Sequence, residues 1–275
     1  MKKFALLLIV SVISFQAFSQ RKPKIKGNKN VIEVREDLEP FTAIELTDDL
    51  DIVLQKSSQE GYVLELDDNL LDVLKFKVDN GVLKISSFYN ITSKRKLDIT
   101  IFFQEIRSVK MLNGKISMKD VISTDRLKVH TSGTSRLELN ATADIIDITM
   151  EEISSGDFNL ASDSLNVILK DRIDVKLYTT GANNSLYMYE NASAKVEGTA
   201  DFLMAKLYGN SSLKASELQT SDVLLITEDS PNAEIRALGN FQLSSRGNTK
   251  TKLYGDPKIT ISDFLDTSRL EKEKN

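Results

Sequence analysis

The chain has 275 residues and a formal net charge of −4, and it contains no cysteine and one histidine. Disulfides and thiolate metal sites are therefore excluded, and a zinc site built on several histidines cannot form. The mild acidic excess argues against a nucleic-acid partner, because phosphate binding needs clustered Lys and Arg.

The N-terminus has the pattern of a secretory signal. Residues 1–3 are basic and residues 4–18 are apolar. The small residues Ala17 and Ser19 stand where a signal peptidase cleaves. The apolar run is too short to span a bilayer, and no second run approaches the required ~20 residues. We predict a signal peptide over residues 1–19 and export to the periplasm, the outer cell surface or the medium.

The rest of the chain divides by composition into three parts. Residues 20–39 are rich in Lys and predict a flexible basic lead-in. Residues 40–265 predict one all-β domain, with an N-terminal portion at 40–112 and repeated coils at 113–265. Residues 266–275 alternate in charge and predict a solvated tail.

The N-terminal portion shows strand periodicity with one strong hairpin signal. Alternating apolar residues predict strands at 41–46, 50–55, 62–66 and 97–101. The dipeptide Asn80-Gly81 lies between two alternating runs, which is typical of a two-residue hairpin turn. We therefore expect some antiparallel pairing in this portion.

A short phrase recurs between residues 127 and 255: alternating apolar residues, a small turn, then alternating apolar residues again. Its clearest copy is 127–139. The period of two predicts inward side chains at Leu127, Val129, Leu137 and Leu139. It predicts outward side chains at Lys128, His130, Arg136 and Glu138.

The turn of the phrase repeats at irregular intervals. Turns equivalent to Gly133 are expected, 18 to 28 residues apart, at Gly156, Gly181, Gly209, Asp229 and Gly247. Because convincing helices are missing between the strands, this repetition predicts a single-chain parallel β-helix, or β-solenoid. A globular β-sandwich is the alternative, since evenly spaced short strands also describe sandwiches.

The order of several motifs resembles the putative auto-transporter adhesin, head GIN domain family, exported bacterial proteins common in the Bacteroidetes. The motifs are Phe41 with Ile44, then 49–55, 69–71, 79–85, the repeated Leu-x-Val/Ile-x-x-Ser-Gly-x-Ser phrases, and Leu253-Tyr254-Gly255-Asp256-Pro257. The resemblance covers roughly residues 40 to 262. It implies a right-handed parallel β-helix with an envelope or surface role and no established catalytic activity. The family's Ser-Gly-Ser-Gly turns are eroded here to Gly133-Thr134-Ser135, Gly156-Asp157 and 209–212, which weakens any binding site carried by those turns.

Residues that could carry catalysis are few. His130 is expected on an outward strand position as a solvated side chain, with a general base as the alternative. Phosphate-binding and dinucleotide-binding motifs are missing, so we expect neither a cofactor nor a metal. Acidic corners keep a second function open, a carbohydrate-active β-helix enzyme that uses paired carboxylates or bound Ca²⁺. These corners are Asp48-Asp49-Asp51, Asp67-Asp68, Glu151-Glu152-Asp157 and Asp171-Asp174.

Tyrosines near the coil strands are the candidate binding residues. They are Tyr178, Tyr187, Tyr189, Tyr208 and Tyr254. Among them we predict Tyr187, Tyr189 and Tyr208 as binding residues. We expect inward or edge positions for them, although Leu186 and Met188 compete for the same core. If they point outward, they could bind a surface glycan or an envelope protein.

The leading hypothesis is a noncatalytic exported adhesion or binding module of the envelope or cell surface. Self-association through the ends of the solenoid is a further expectation, because an uncapped end exposes strand edges.

Overall fold

The computed structural model describes residues 22–274, so the predicted signal peptide at 1–19 lies outside the described residues. The N-terminal portion contains β1 (Lys24–Lys26), β2 (Val31–Asp37), β3 (Ala43–Leu46), β4 (Asp51–Lys56), β5 (Gly61–Asp67), the 3₁₀ helix Asp68–Val73, β6 (Leu74–Asp79), β7 (Val82–Ser87), β8 (Asn90–Ser93), β9 (Leu97–Phe103), β10 (Ser108–Met111) and β11 (Lys115–Met118). The repeated coils contain β12 (Ile122–Thr131), β13 (Arg136–Met150), β14 (Ser155–Leu169), β15 (Asp174–Met188), β16 (Ser193–Gly209), β17 (Ser212–Asp229), β18 (Asn232–Arg236), β19 (Asn240–Gly247), β20 (Lys250–Tyr254), β21 (Lys258–Phe264) and β22 (Arg269–Lys272).

The chain winds into a parallel β-solenoid of about nine turns, which confirms the predicted fold and rules out the sandwich. Strands β12 to β17 pair in parallel, each with the next along the chain. From β13 to β16 each residue lies beside the one 19 positions later, as Leu137 lies beside Gly156 and Gly156 beside Val175. Each coil is therefore one rung of a ladder, and neighbouring rungs are about 4.8 Å apart.

Side chains alternate between the interior and the surface as the phrase at 127–139 predicts. The four predicted inward residues are at most 1 % exposed, and they are Leu127, Val129, Leu137 and Leu139. Lys128 and Arg136 are exposed, whereas His130 and Glu138 are half-buried on the outer side. The apolar core is thus a set of columns that run along the solenoid axis.

One corner of successive coils has a left-handed backbone conformation, from Gly133 to Asp266. Its φ angles lie between 58° and 97°, at Gly133, Glu152, Asp171, Glu190, Gly209, Asp229, Gly247 and Asp266. These corners are 18 to 20 residues apart, so the repeat is more regular than the sequence phrase suggested. Gly133, Gly209, Asp229 and Gly247 are confirmed as equivalent turns.

Four of the five acidic residues at this corner bind the corner of the preceding coil through their side chains. The N–H of Gly133 donates to Glu152 Oε2 at 2.7 Å, and the N–H of Glu152 donates to Asp171 Oδ2 at 3.2 Å. The N–H of Gly247 donates likewise to an Asp266 carboxylate oxygen at 3.0 Å. Each carboxylate satisfies a backbone donor that would otherwise face solvent at the turn.

Two predicted turn glycines belong elsewhere, and the prediction for them was wrong. Gly156 lies inside β14 on the core side, where an added Cβ would stand 2.3 Å from the Phe158 ring. Gly181 lies inside β15, where a Cβ would stand 2.0 Å from the carbonyl oxygen of Ser162. Both are glycine because a neighbouring group fills the space of a side chain, which local sequence does not reveal.

The N-terminal portion is partly antiparallel, as expected. Strand β5 pairs antiparallel with β2 and β9, and β6 with β7 forms the predicted hairpin. Asn80 and Gly81 form its turn with φ angles of 50° and 75°. The 3₁₀ helix buries Leu70 and Val73 against the core, which closes this end of the solenoid.

The predicted flexible lead-in is ordered from residue 24 onward. Strand β1 pairs in parallel with β8, and β2 pairs with β5. The segment is basic in composition, but three of its apolar residues pack on the core, namely Ile25, Ile32 and Val34. Their burial offsets the entropy cost of ordering the segment.

The last coil leaves the opposite end of the solenoid open. Strand β22 lies inside the predicted solvated tail and pairs with β20, because Leu270 packs against the core. Ile259 and Ile261 extend the columns of Phe241 and Leu243 but are 45 % and 47 % exposed, since no further described coil covers them.

We expect Lys272 to protect this open end from self-association. It continues the inward column of Leu253, and its Nζ reaches Asp256 Oδ1 at 2.8 Å. An inward-pointing charge on an edge strand disfavours pairing with another chain. We expect Lys272→Leu to increase concentration-dependent association in sedimentation velocity. The matched control Lys250→Leu, on the outer face, should sediment like wild type, and equal behaviour of the two variants would refute this role.

Candidate functional site

The three candidate tyrosines lie on the outer surface of the solenoid. Tyr187 is in register with Ile168 and Lys206 on the neighbouring coils, and it is half-buried. Leu186 and Met188 are 4 % and 0 % exposed, so they fill the core on either side of Tyr187. Of the expected inward or edge positions, the inward one was wrong, because these two aliphatic side chains take the core positions.

The tyrosines are arranged as a ladder. The rings of Tyr189 and Tyr208 stack with centroids 5.2 Å apart and an angle of 7° between their planes. Lys206 Nζ lies 5.5 Å from the centroid of the Tyr187 ring. The distance between the Tyr189 and Tyr208 centroids matches the spacing of the rungs. The two stacked rings therefore face along the solenoid axis and turn their edges outward.

Further apolar side chains surround the ladder on the same outer face. We call the tyrosine face the half-buried outward set Ile168, Tyr187, Tyr189, Met204, Tyr208, Leu224 and Ile226. On an exposed sheet the outward positions are ordinarily polar, as at 127–139. The tyrosine face therefore departs from the alternation seen at 127–139.

Sequence reasoning missed the aliphatic members of this face, although a signal was present. The run 223–226 is apolar without interruption, and so is the run 167–169. An unbroken apolar strand indicates packing on both sides rather than on the core side alone. Such runs, more than the tyrosines, mark the face in the sequence.

A polar border lies beside the tyrosine face. Lys170 Nζ donates to Glu151 Oε1 at 2.7 Å, and this hydrogen bond lowers the pKa of Glu151. His130 Nε2 lies 3.9 Å from the other carboxylate oxygen of Glu151. His130 thus has the outward strand position that the sequence predicted.

The acidic pair Asp67-Asp68 fastens the N-terminal portion together. Asp67 is fully buried, and its carboxylate accepts the backbone N–H groups of Lys29, Arg95 and Lys96 at 3.0 to 3.2 Å. Hydrogen bonds from the side chains of Asn30 and Asn28 lower the pKa of Asp68. This arrangement is a structural joint between two loops.

The other acidic corners are divided between structural contacts and open solvent. Glu152 and Asp171 accept backbone N–H groups of the left-handed corners. Asp48 accepts the N–H of Ser87 at 2.9 Å and pairs with Lys22. The remaining members are exposed, and they are Asp49, Asp51, Asp157 and Asp174. Within residues 22–274 no three His, Asp or Glu side chains are placed to hold a metal ion together.

The fold and the tyrosine face together define a class: a parallel β-solenoid that presents an apolar aromatic surface on rigid strands. Two segments, residues 40–160 and 151–257, match the family described as putative auto-transporter adhesin, head GIN domain. The chain belongs to this family, as its sequence motifs indicated.

Several solved structures share the fold over 91 % of this chain. A putative adhesin from Parabacteroides merdae is 14 % identical, with a TM-score of 0.61 and 99 % of that chain covered. A putative adhesin from Parabacteroides distasonis is 15 % identical, with a TM-score of 0.60 and 100 % covered. A putative lipid binding protein from the same species is 19 % identical, with a TM-score of 0.59 and 99 % covered. No curated protein matches the chain significantly.

The described residues contain no helix that is long and apolar enough to cross a membrane. Membership of an adhesin family agrees with a surface or exported protein.

Proposed function

We propose that this protein is a noncatalytic exported binding module of the cell envelope or surface, and that its tyrosine face binds an envelope protein. The observation that carries the proposal is the outward apolar set on β14 to β17, which groups around Lys206 in its centre. Contiguous exposed apolar patches rimmed by polar residues mark interaction sites. Tyrosine is enriched at such interfaces because it combines a large apolar ring with a polar tip.

The ring geometry favours a protein over a sugar at this face. A sugar stacks on the flat side of an aromatic ring, but Tyr189 and Tyr208 stack on each other with near-parallel planes. Their edges instead point outward beside the aliphatic side chains of Leu224 and Ile226 on the next coil, and Lys206 lies in register between Tyr187 and Ile226. Such a surface suits apolar side chains of a protein partner.

The contacts of the acidic corners support a noncatalytic role. A glycosidase needs two carboxylates that face one substrate. Asp67, Glu152 and Asp171 are instead bonded to backbone N–H groups. The enzyme alternative thus gains no specific support from the geometry of these residues.

The N-terminal pattern and the family together support export. Mass spectrometry of the protein purified from its host should find Gln20 as the first residue. A retained Met1 would contradict the proposed signal peptide.

Binding to isolated envelopes tests the proposed tyrosine face. Labelled protein should bind envelope fractions saturably, and pretreatment of the fractions with protease should abolish this binding. The variant Leu224→Lys, which places a charge at a half-buried outward position, should weaken binding at least about tenfold, as expected for a residue central to an interface.

A matched variant on another face serves as the control. Lys214→Glu changes the charge of an exposed residue on the first half of β17, away from the tyrosine face. It should bind like wild type, and circular dichroism should show that both variants are folded. Undiminished binding by Leu224→Lys, or binding that survives protease, would refute the proposal.

A further inference from the structure

Tyr178 differs from the other coil tyrosines in its exposure. It lies in the first half of β15, on the other side of the interruption of the in–out alternation at residues 181–183 from the tyrosine face, and is 51 % exposed. Among the described residues, neither an aromatic ring nor a cationic group is placed against its ring. Both flanking rungs are polar at this register, with Asn159 on one side and Glu197 on the other. The ring is thus an isolated aromatic surface on a rigid strand.

A groove runs beside this ring. It has a volume of about 350 Å³ and is lined by Tyr178 together with Asp157, Asn159, Lys176, Lys195 and Glu197. A second hollow of about 230 Å³ shares Asp157 and Lys176 with the first and extends it to Arg136 and Asp174. The two hollows together cross the rungs of β13 to β16.

Four charged side chains in this groove have no hydrogen-bond or ion-pair partner among the described residues. Arg136, Asp157, Lys176 and Asp174 are exposed, and none of them forms a side-chain hydrogen bond or ion pair within the described part of the chain. Lys195, by contrast, pairs with Glu197 and with Glu217. The groove therefore offers two strong donors and two strong acceptors whose charges cancel.

This combination identifies the chemistry of a ligand. A hydroxyl group both donates and accepts hydrogen bonds, so it can use an ammonium and a carboxylate that lie side by side. A charged ligand would meet a like charge beside every opposite one. The exposed Tyr178 ring adds a flat apolar surface that fits the apolar face of a sugar ring.

We propose that the groove beside Tyr178 is a saccharide site, in which one ring of a neutral oligosaccharide stacks on Tyr178 and its hydroxyl groups bond to Asp157, Lys176 and their neighbours. The site is independent of the tyrosine face, because Tyr178 lies in the first half of β15 and Tyr187 in its second half. Its ligand is of a different class from the protein partner proposed there.

The absence of tryptophan from the chain permits a direct test. Tyr178→Trp introduces a single tryptophan into the site, and its emission can be followed during titration. The probes are cellohexaose, maltohexaose and hexa-N-acetylchitohexaose, with hexagalacturonate as the charged comparison. At least one neutral probe should produce a saturable shift of the emission. Tyr254→Trp, which replaces a tyrosine in β20 covered by Arg236, should show no saturable response.

A second measurement uses the native side chain. Calorimetry should show that the responding probe binds Tyr178→Ala at least about tenfold more weakly than the wild-type chain, because the variant loses the aromatic surface of the site. Leu224→Lys should leave this binding unchanged, so the two proposals can fail separately. The saccharide site is refuted if no neutral probe gives saturation at millimolar concentration, if hexagalacturonate binds more tightly, or if Tyr178→Ala binds like wild type.

Discussion

Replacing Asp67 by alanine should lower the free energy of unfolding by about 3 kcal/mol or more. The fully buried Asp67 carboxylate accepts three backbone N–H groups, from Lys29, Arg95 and Lys96. The substitution removes the acceptor of three partly buried hydrogen bonds, and a donor left unpaired costs about 1 kcal/mol at the lower end of the range for buried groups. Gly27 packs directly on the carboxylate, so the loop before β2 loses its support as well.

Urea denaturation followed by circular dichroism measures this effect, and two variants calibrate it. Asp67→Asn keeps one acceptor oxygen and should fall between wild type and Asp67→Ala. Asp72→Ala, an exposed residue of the neighbouring 3₁₀ helix, should change stability by less than about 0.5 kcal/mol. If Asp67→Ala is no less stable than Asp72→Ala, the buried carboxylate does not hold the N-terminal portion.

Gly156 and Phe158 should be energetically coupled, and Phe158→Ala should cost about 3 to 5 kcal/mol. The Phe158 side chain is 1 % exposed, and its ring fills the space beside Gly156 in the core. Gly156→Ala places a Cβ 2.3 Å from that ring, so we expect a loss of about 1 to 3 kcal/mol from overpacking.

A double-mutant cycle tests this coupling. Phe158→Leu removes the ring atoms nearest Gly156, which leaves room for the added methyl group. The double variant Gly156→Ala/Phe158→Leu should therefore be more stable than the sum of the two single losses predicts, by about 0.5 kcal/mol or more. Strict additivity would show that the ring does not explain the glycine.

Gly156 and Asp67 show which features the sequence could not predict. The sequence predicts a turn at Gly156 because glycine commonly marks turns, and it places Asp67 among the acidic corners because aspartate also favours turns. Both assignments use only neighbours along the chain. The groups that explain them are a ring on the core side and three N–H groups from loops 28 to 38 positions away.

The binding surfaces show the same division. The sequence identified tyrosines near the coil strands, but their direction depended on Leu186 and Met188 filling the core. The apolar run at 223–226 could have indicated an outward apolar face. The stacking of Tyr189 on Tyr208 and the isolation of Tyr178 both follow from the pairing of residues 19 positions apart on neighbouring rungs. The sequence alone does not show this pairing.

By itself the sequence determined the family, the β-solenoid class, the inward and outward sides of the phrase at 127–139 and the hairpin at Asn80-Gly81. These features depend on a period of two and on turn preferences, which are properties of adjacent residues. The tertiary structure alone decided the 18 to 20 residue coil, the ordered strands β1, β2 and β22, and the two binding surfaces. Each of these features depends on contacts between neighbouring rungs or with loops distant in sequence. Only the folding of the chain into stacked coils brings these residues together.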